Sequence, residues 1–145
     1  MAEVERSRFV RATPAELARR LSPETIVAAE GSFEVRRVDD SGDSGDSGDS
    51  NDDATVVTVG GGGLSFDLRF ERRPDGYYYT QVGDAGPFES METWLRSTRE
   101  NEGSRLTARS AVSLAVPLPF ADRLAAWKRG GELDRALDAL ASSVE

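Results

Sequence analysis

The stretch Pro119–Glu145, PFADRLAAWKRGGELDRALDALASSVE, decides how the rest of the chain must fold. It is the only segment long and periodic enough to form a major helix. Phe120, Leu124 and Trp127 follow the 4-then-3 spacing of one apolar helical stripe. Leu133, Leu137, Leu140 and Val144 form a second stripe by the same rule. At about 100° per residue the two stripes lie more than about 90° apart. Gly130 and Gly131 stand between them, and each costs a helix roughly 1 kcal/mol relative to Ala. Three arrangements fit: a helix bent at the glycines, two separate short helices, or one straight helix covered on two sides. A sheet curled around the helix would supply that second cover.

Upstream of this helix the chain reads as strands and turns. Leu106 to Val116 is a long strand with Leu106, Ala108, Ser110, Val112, Leu114 and Val116 on one face, and Pro117 and Pro119 end it. Phe88 to Arg99 is amphipathic in either period. Its position between turns makes it a strand, with Met91, Thr93 and Leu95 inward, and Glu92, Trp94 and Arg96 outward. Tyr77 to Val82 is another strand, bounded by Pro74-Asp75-Gly76 and the turn at 83–87. The segment LSFDLRFER from Leu64 alternates cleanly, with Leu64, Phe66, Leu68 and Phe70 inward. Gly60 to Gly63 is a hairpin turn rather than a phosphate cradle, because a strand and not a helix follows it. Ala54 to Val59 and Ser32 to Val38 complete the strands of this meander.

Near the start, Glu3 to Arg11 reads as a first strand. Thr13-Pro14-Ala15-Glu16 carries a complete capping box with Pro at the first helical position, so a short helix runs to Leu21. Ser22-Pro23-Glu24 repeats the start signal for a second short helix to about Ala29, stopped by Gly31. The order is strand, two short helices, six strands on short turns, long helix. The pieces ATPAELARRLSPE, the strands from Gly31 to Val116 and the C-terminal helix together resemble the helix-grip superfamily (SRPBCC). That group includes START-related lipid-transfer domains, birch-pollen-allergen-like proteins and polyketide cyclase/dehydratase-like domains. The resemblance spans nearly the whole chain. It implies an α+β fold: a curved seven-stranded antiparallel sheet wrapped around the C-terminal helix, in one domain over 1–145. It carries no catalytic residue with it, because the superfamily shares a cavity rather than a motif.

Composition narrows the chemistry. The chain has no Cys and no His, which excludes disulfides, zinc–thiolate sites, the Ser-His-Asp triad and most transition-metal sites. No catalytic, metal or cofactor residue is assigned. The net charge of −8 argues against a nucleic-acid partner. Seven Asp lie within residues 39–53, and without them 19 acidic residues face 18 basic ones, so the body is close to neutral. This tract, DDSGDSGDSGDSNDD, is too polar to offset its ordering entropy and is expected to be a disordered acidic insertion. It lacks the ligand spacing of an EF-hand calcium loop. The Arg bias and acid tract fit a GC-rich and halophilic source, although the near-neutral body argues against the salt adaptation. No run of 18 apolar residues and no apolar leader occur, so no membrane span is expected and a cytoplasmic location is.

The implied cavity lies between sheet and helix. Its expected lining is Phe66, Leu68, Phe70, Met91, Leu95, Val112, Leu114, Leu124 and Trp127. Thr93, Ser110 and one or more of Tyr77, Tyr78 and Tyr79, with Tyr78 taken as the site residue, would orient a ligand. The same residues would also make a filled core. The functional expectation is a binding or carrier module for an apolar small molecule such as a lipid, quinone or polyketide-like compound. The alternatives are a polyketide cyclase/dehydratase-like enzyme and a protein-interaction domain with a collapsed cavity. The enzyme ranks lower, because nearly all Asp and Glu are expected on outward faces or in turns.

Overall fold

The computed structural model describes residues 2–40, 54–83, 85–114, 118 and 120–145. The elements are β1 (Ala2–Val10), α1 (Pro14–Arg20), α2 (Pro23–Glu30), β2 (Glu34–Asp40), β3 (Ala54–Gly61), β4 (Leu64–Arg73), β5 (Gly76–Val82), β6 (Ser90–Glu100), β7 (Gly103–Ser113) and α3 (Ala121–Val144). One seven-stranded antiparallel sheet runs β1-β7-β6-β5-β4-β3-β2. Strands β2 to β7 form a meander, and β1 closes onto β7 from the far end of the sequence. The sheet curves around α3, which packs mainly on β1, β7 and α2. This is the helix-grip architecture expected from the element order.

Local chemistry explains the helix starts. The Thr13 hydroxyl accepts from Glu16 N at 3.2 Å, and the Glu16 carboxylate reaches back to Thr13 N at 3.3 Å. Ser22 caps α2 in the same way, but its partner is the Thr25 hydroxyl. Gly31 ends α2 at φ 75°, the left-handed conformation that favours glycine. The acid-rich residues 41–53 lie outside the described residues. Asp39 and Asp40 belong to β2, paired with Val56 and Thr55.

The final helix is continuous through Gly130 and Gly131. Its buried face runs Ala126, Gly130, Leu133, Leu137, Leu140, at alternating 4 and 3 spacing, with Arg129 and Ala136 buried beside that row. Gly130 faces β1 so closely that an added Cβ would stand 2.6 Å from the Arg6 guanidinium and 3.2 Å from a Val4 methyl. Gly131 faces open space. The second apolar stripe is therefore core. The first is not: Phe120, Leu124 and Trp127 are 64%, 62% and 75% exposed. Ala125, Ala126 and Arg129 take the inward positions at that end of the helix, so the sheet covers one side of α3 and not two.

Alternation otherwise holds. Phe66, Leu68 and Phe70 on β4, Met91, Thr93 and Leu95 on β6, and Leu106, Ala108, Ser110 and Val112 on β7 are all buried. Leu64, at the mouth of its hairpin, is 36% exposed instead of inward. Strand β7 stops at Ser113; Leu114 follows it half-buried, and the part of the expected strand at 115–116 lies outside the described residues.

Candidate functional site

Register builds the interior of the site. Tyr79 on β5 stands opposite Thr93 on β6, and Thr93 stands opposite Ser110 on β7. Because directly paired residues share a face, three hydroxyls line up on the inner side of three adjacent strands. Phe70 pairs with Tyr79 from β4 and stacks on its ring at 4.4 Å between centroids. Above this row lies the side chain of Arg129, 2% exposed.

The Arg129 guanidinium spends its N–H groups on buried partners. Nη1 donates to Glu30 Oε1 at 2.8 Å and to Glu132 Oε1 at 2.9 Å. Nη2 donates to Glu30 Oε2 at 3.0 Å, Thr93 Oγ1 at 2.9 Å and Tyr79 Oη at 3.2 Å. Nε donates to Ser110 Oγ at 3.2 Å. The Tyr79 hydroxyl donates in turn to Glu30. Burial works against the guanidinium charge, but the Glu30 carboxylate and its neighbours outweigh it and hold the Arg129 pKa well above its ordinary value. Burial first, and then the Glu30 charge, push the Tyr79 phenol well above its usual range.

This cluster occupies the space in which an internal cavity was expected. Between Glu30, Phe66, Leu68, Met91, Arg129 and Glu132 only about 20 Å3 is left. The open space lies outward of it, in a cleft of about 680 Å3 at the N-terminal end of α3. Ser32 and Phe33 form one wall, with the β3–β4 turn through Gly61, Gly62 and Leu64 beside them. Pro87, Phe88 and Leu114 form another, and Leu124, Ala125, Trp127, Lys128 and Glu132 of α3 the third. Gln81 fixes the Pro87–Phe88 wall: its amide donates to Phe88 O at 2.6 Å and accepts from Phe88 N at 3.3 Å. Phe33 meets Phe66 edge-on at 4.9 Å, which joins the wall to the core. Asp122 ties the start of α3 to the end of the sheet by accepting from Leu114 N at 2.9 Å.

Of the twelve site residues expected from sequence, Leu114, Leu124 and Trp127 line the cleft. Phe66, Leu68 and Met91 border the small void beneath it. Thr93 and Ser110 hold Arg129 rather than face open space, and Phe70, Leu95 and Val112 are packed in the core. Tyr78 is placed wrongly. Alternation along β5 turns Tyr77, Tyr79 and Gln81 inward, so Tyr78 lies on the outer face beside Trp94, 5.2 Å between centroids. There it donates to Glu92 at 2.6 Å, and burial followed by that bond pushes its pKa up to about 12. The inward tyrosine of the polar row is Tyr79.

Two carboxylates also break the expectation that acids stay outside: Glu30 and Glu132 are buried. A sequence signal existed for each member of the trio. Glu30 is an acid in the last turn of a helix, where the macrodipole disfavours it unless a cation compensates. Arg129 lies four residues before Leu133, on the apolar stripe itself, and Glu132 follows it at i+3. Among the described residues no group of three or more Asp or Glu side chains converges as metal ligands would.

No protein-family model matches the sequence, and no curated protein matches it. Solved structures do. A START superfamily protein from Mycobacterium smegmatis superposes with a TM-score of 0.71 at 15% identity, over 98% of this chain and 96% of that one. Ara h 8.0201 gives a TM-score of 0.62 at 13% identity, over 99% and 97%. The di-domain ARO/CYC BexL from the BE-7585A biosynthetic pathway gives 0.71 at 15% identity, where 98% of this chain covers 46% of that one. With the strand order, the two short helices and the gripped C-terminal helix, these likenesses establish that the chain has the helix-grip fold.

Proposed function

We propose that the protein binds an apolar small molecule in the open cleft beside the N-terminal half of α3, as a carrier or binding module. The observation that carries this is the cleft itself. Its volume of about 680 Å3 is within the ordinary range for small-molecule sites, and its lining is mostly apolar. Leu124 and Trp127 stay exposed at its edge, a placement that gains nothing for the free chain and that a ligand would cover. The fold is shared with a START superfamily protein, a group whose resemblance to this chain implies lipid transfer.

The test is a panel of fatty acids, quinones and polycyclic phenols, read by Trp127 fluorescence in a Trp94→Phe background and by melting temperature. A ligand at a hundredfold excess over its dissociation constant adds about 2.7 kcal/mol of stability. Silence in both readouts across the panel overturns the carrier reading and leaves a protein-interaction domain in its place.

The second reading is a cyclase or dehydratase, favoured by one observation. Glu132 borders the cleft while bonded to a buried guanidinium, and so places a carboxylate where a general base could stand. Two ARO/CYC di-domain proteins are among the similar folds. Incubation with a poly-β-ketone tests it, with chromatography for a cyclised isomer of the same mass and mass analysis for loss of water; substrate recovered unchanged by both rejects it.

A further inference from the structure

We infer that the cleft sorts apolar molecules by their polar end: it takes those that present an O–H or N–H donor to Glu132, phenols and protonated amines, and discriminates against carboxylates. This rests on the reading of the cleft as a small-molecule site and names its ligand class.

Glu132 belongs to two environments at once. It lines the open cleft, and it also borders the void that holds Arg129. Its side chain is 7% exposed, so its contact with a ligand would be at the floor and not at the rim. Oε1 accepts one N–H from Arg129 at 2.9 Å, and Oε2 one O–H from Ser32 at 2.5 Å. Each carboxylate oxygen has two acceptor directions, so each retains capacity for a further donor.

The charge behind the floor points the same way. The buried cluster sets two carboxylates, Glu30 and Glu132, against the single guanidinium of Arg129. Arg129 directs its N–H groups at Glu30, Glu132, Tyr79, Thr93 and Ser110, and so offers none to a ligand. The Ser32 hydroxyl already donates to Glu132. The Arg135 guanidinium offsets part of this charge, its Nη2 donating to Ser32 Oγ at 3.4 Å in an exposed contact. An anionic group at this floor would still meet the Glu132 carboxylate, with the Arg129 N–H groups and the Ser32 hydroxyl already committed, a costly way to bury a charge. A phenol or ammonium would complete the acceptor set of Glu132 while its ring or chain filled the apolar walls. Lys128 is the opposing group: its ammonium lines the exposed side of the same cleft and would favour an anion held at the mouth.

Four probes of one ring size decide between these, by equilibrium dialysis with the intact chain at neutral pH: naphthalene, 2-naphthol, 1-naphthylmethylamine and 2-naphthoate. The expected result is that naphthol and naphthylmethylamine bind about tenfold or more tightly than naphthalene and naphthoate, the size of a hydrogen bond to a charged group. Glu132→Gln should remove most of the amine's advantage; the wild-type series decides the matter even if that variant folds poorly. Equal binding of all four would leave a cleft that accepts apolar molecules and overturn the selection by Glu132. Tightest binding by naphthoate would overturn it too, assigning the polar end to Lys128. If none of the four binds, the small-molecule site itself falls, and this inference with it.

Discussion

Arg129 and Glu30, 99 positions apart in sequence, meet as a two-bond fork: Nη1 to Oε1 at 2.8 Å and Nη2 to Oε2 at 3.0 Å. The fork joins the last residue of α2 to the inward face of α3. It also fixes Tyr79, Thr93 and Ser110 from three strands around one charge. The interior of this helix-grip fold is thus held by a polar cluster, and the open space is displaced to the mouth.

Breaking that cluster on one side should be costly. Arg129→Met leaves two buried carboxylates without their cation, and should lower stability by about 3–5 kcal/mol. Adding Glu30→Gln and Glu132→Gln to Arg129→Met should return part of that loss, because the variant no longer buries charge. Urea unfolding of the two variants checks this. A single variant as stable as wild type would mean that water reaches the cluster.

Tyr79 predicts alkaline behaviour. Its pKa is raised in the folded state by burial and by Glu30, so above about pH 10 the unfolded chain releases this proton while the folded chain keeps it. The folded state then binds more protons, and stability falls as pH rises, by up to about 1.4 kcal/mol per pH unit for this group. Below about pH 10 both states hold the proton and the contribution is flat. Tyr79→Phe should remove this part of the alkaline slope and leave the phenolate absorbance of the folded protein at about pH 11 unchanged. Loss of absorbance in that variant would show that Tyr79 ionises in place.

The two stripes of α3 should separate under mutation. Leu137 is 2% exposed, and Leu137→Ala should cost roughly 2–5 kcal/mol. Trp127→Ala should change stability by no more than about 0.5 kcal/mol, since its side chain lies outside the core. The same variant should lose the ligand-induced rise in melting temperature. A large destabilisation by Trp127→Ala would mean that the cleft wall carries part of the fold.

The segment of residues 41–52 should be replaceable by a short Gly-Ser linker with little change in melting temperature. Its composition supports this, and β2 and β3 are paired with each other as far as Asp40 and Thr55 without it. A large drop in melting temperature would show that the segment packs on the body.

Sequence by itself determined the order of elements and most of the inward faces. Alternation placed Phe66, Leu68, Phe70, Met91, Thr93, Leu95, Ser110 and Val112 correctly, because the period of a strand leaves only two faces to choose between. The capping boxes at Thr13 and Ser22 were equally legible, being local hydrogen bonds within four residues. Tyr78 was misplaced where three tyrosines in a row hide the alternation, and only the pairing of Tyr79 with Thr93 settles which one faces in. The helix stripes needed the tertiary structure for another reason. Hydropathy separates the Trp127 face from the Leu137 face, but cover depends on which neighbour each meets, and β1, β7 and α2 together cover one. Arg129, Glu30 and Glu132 were hidden most deeply. Charged side chains count as surface in any local reading, and their burial becomes tolerable only when partners distant in the chain arrive at hydrogen-bonding distance together.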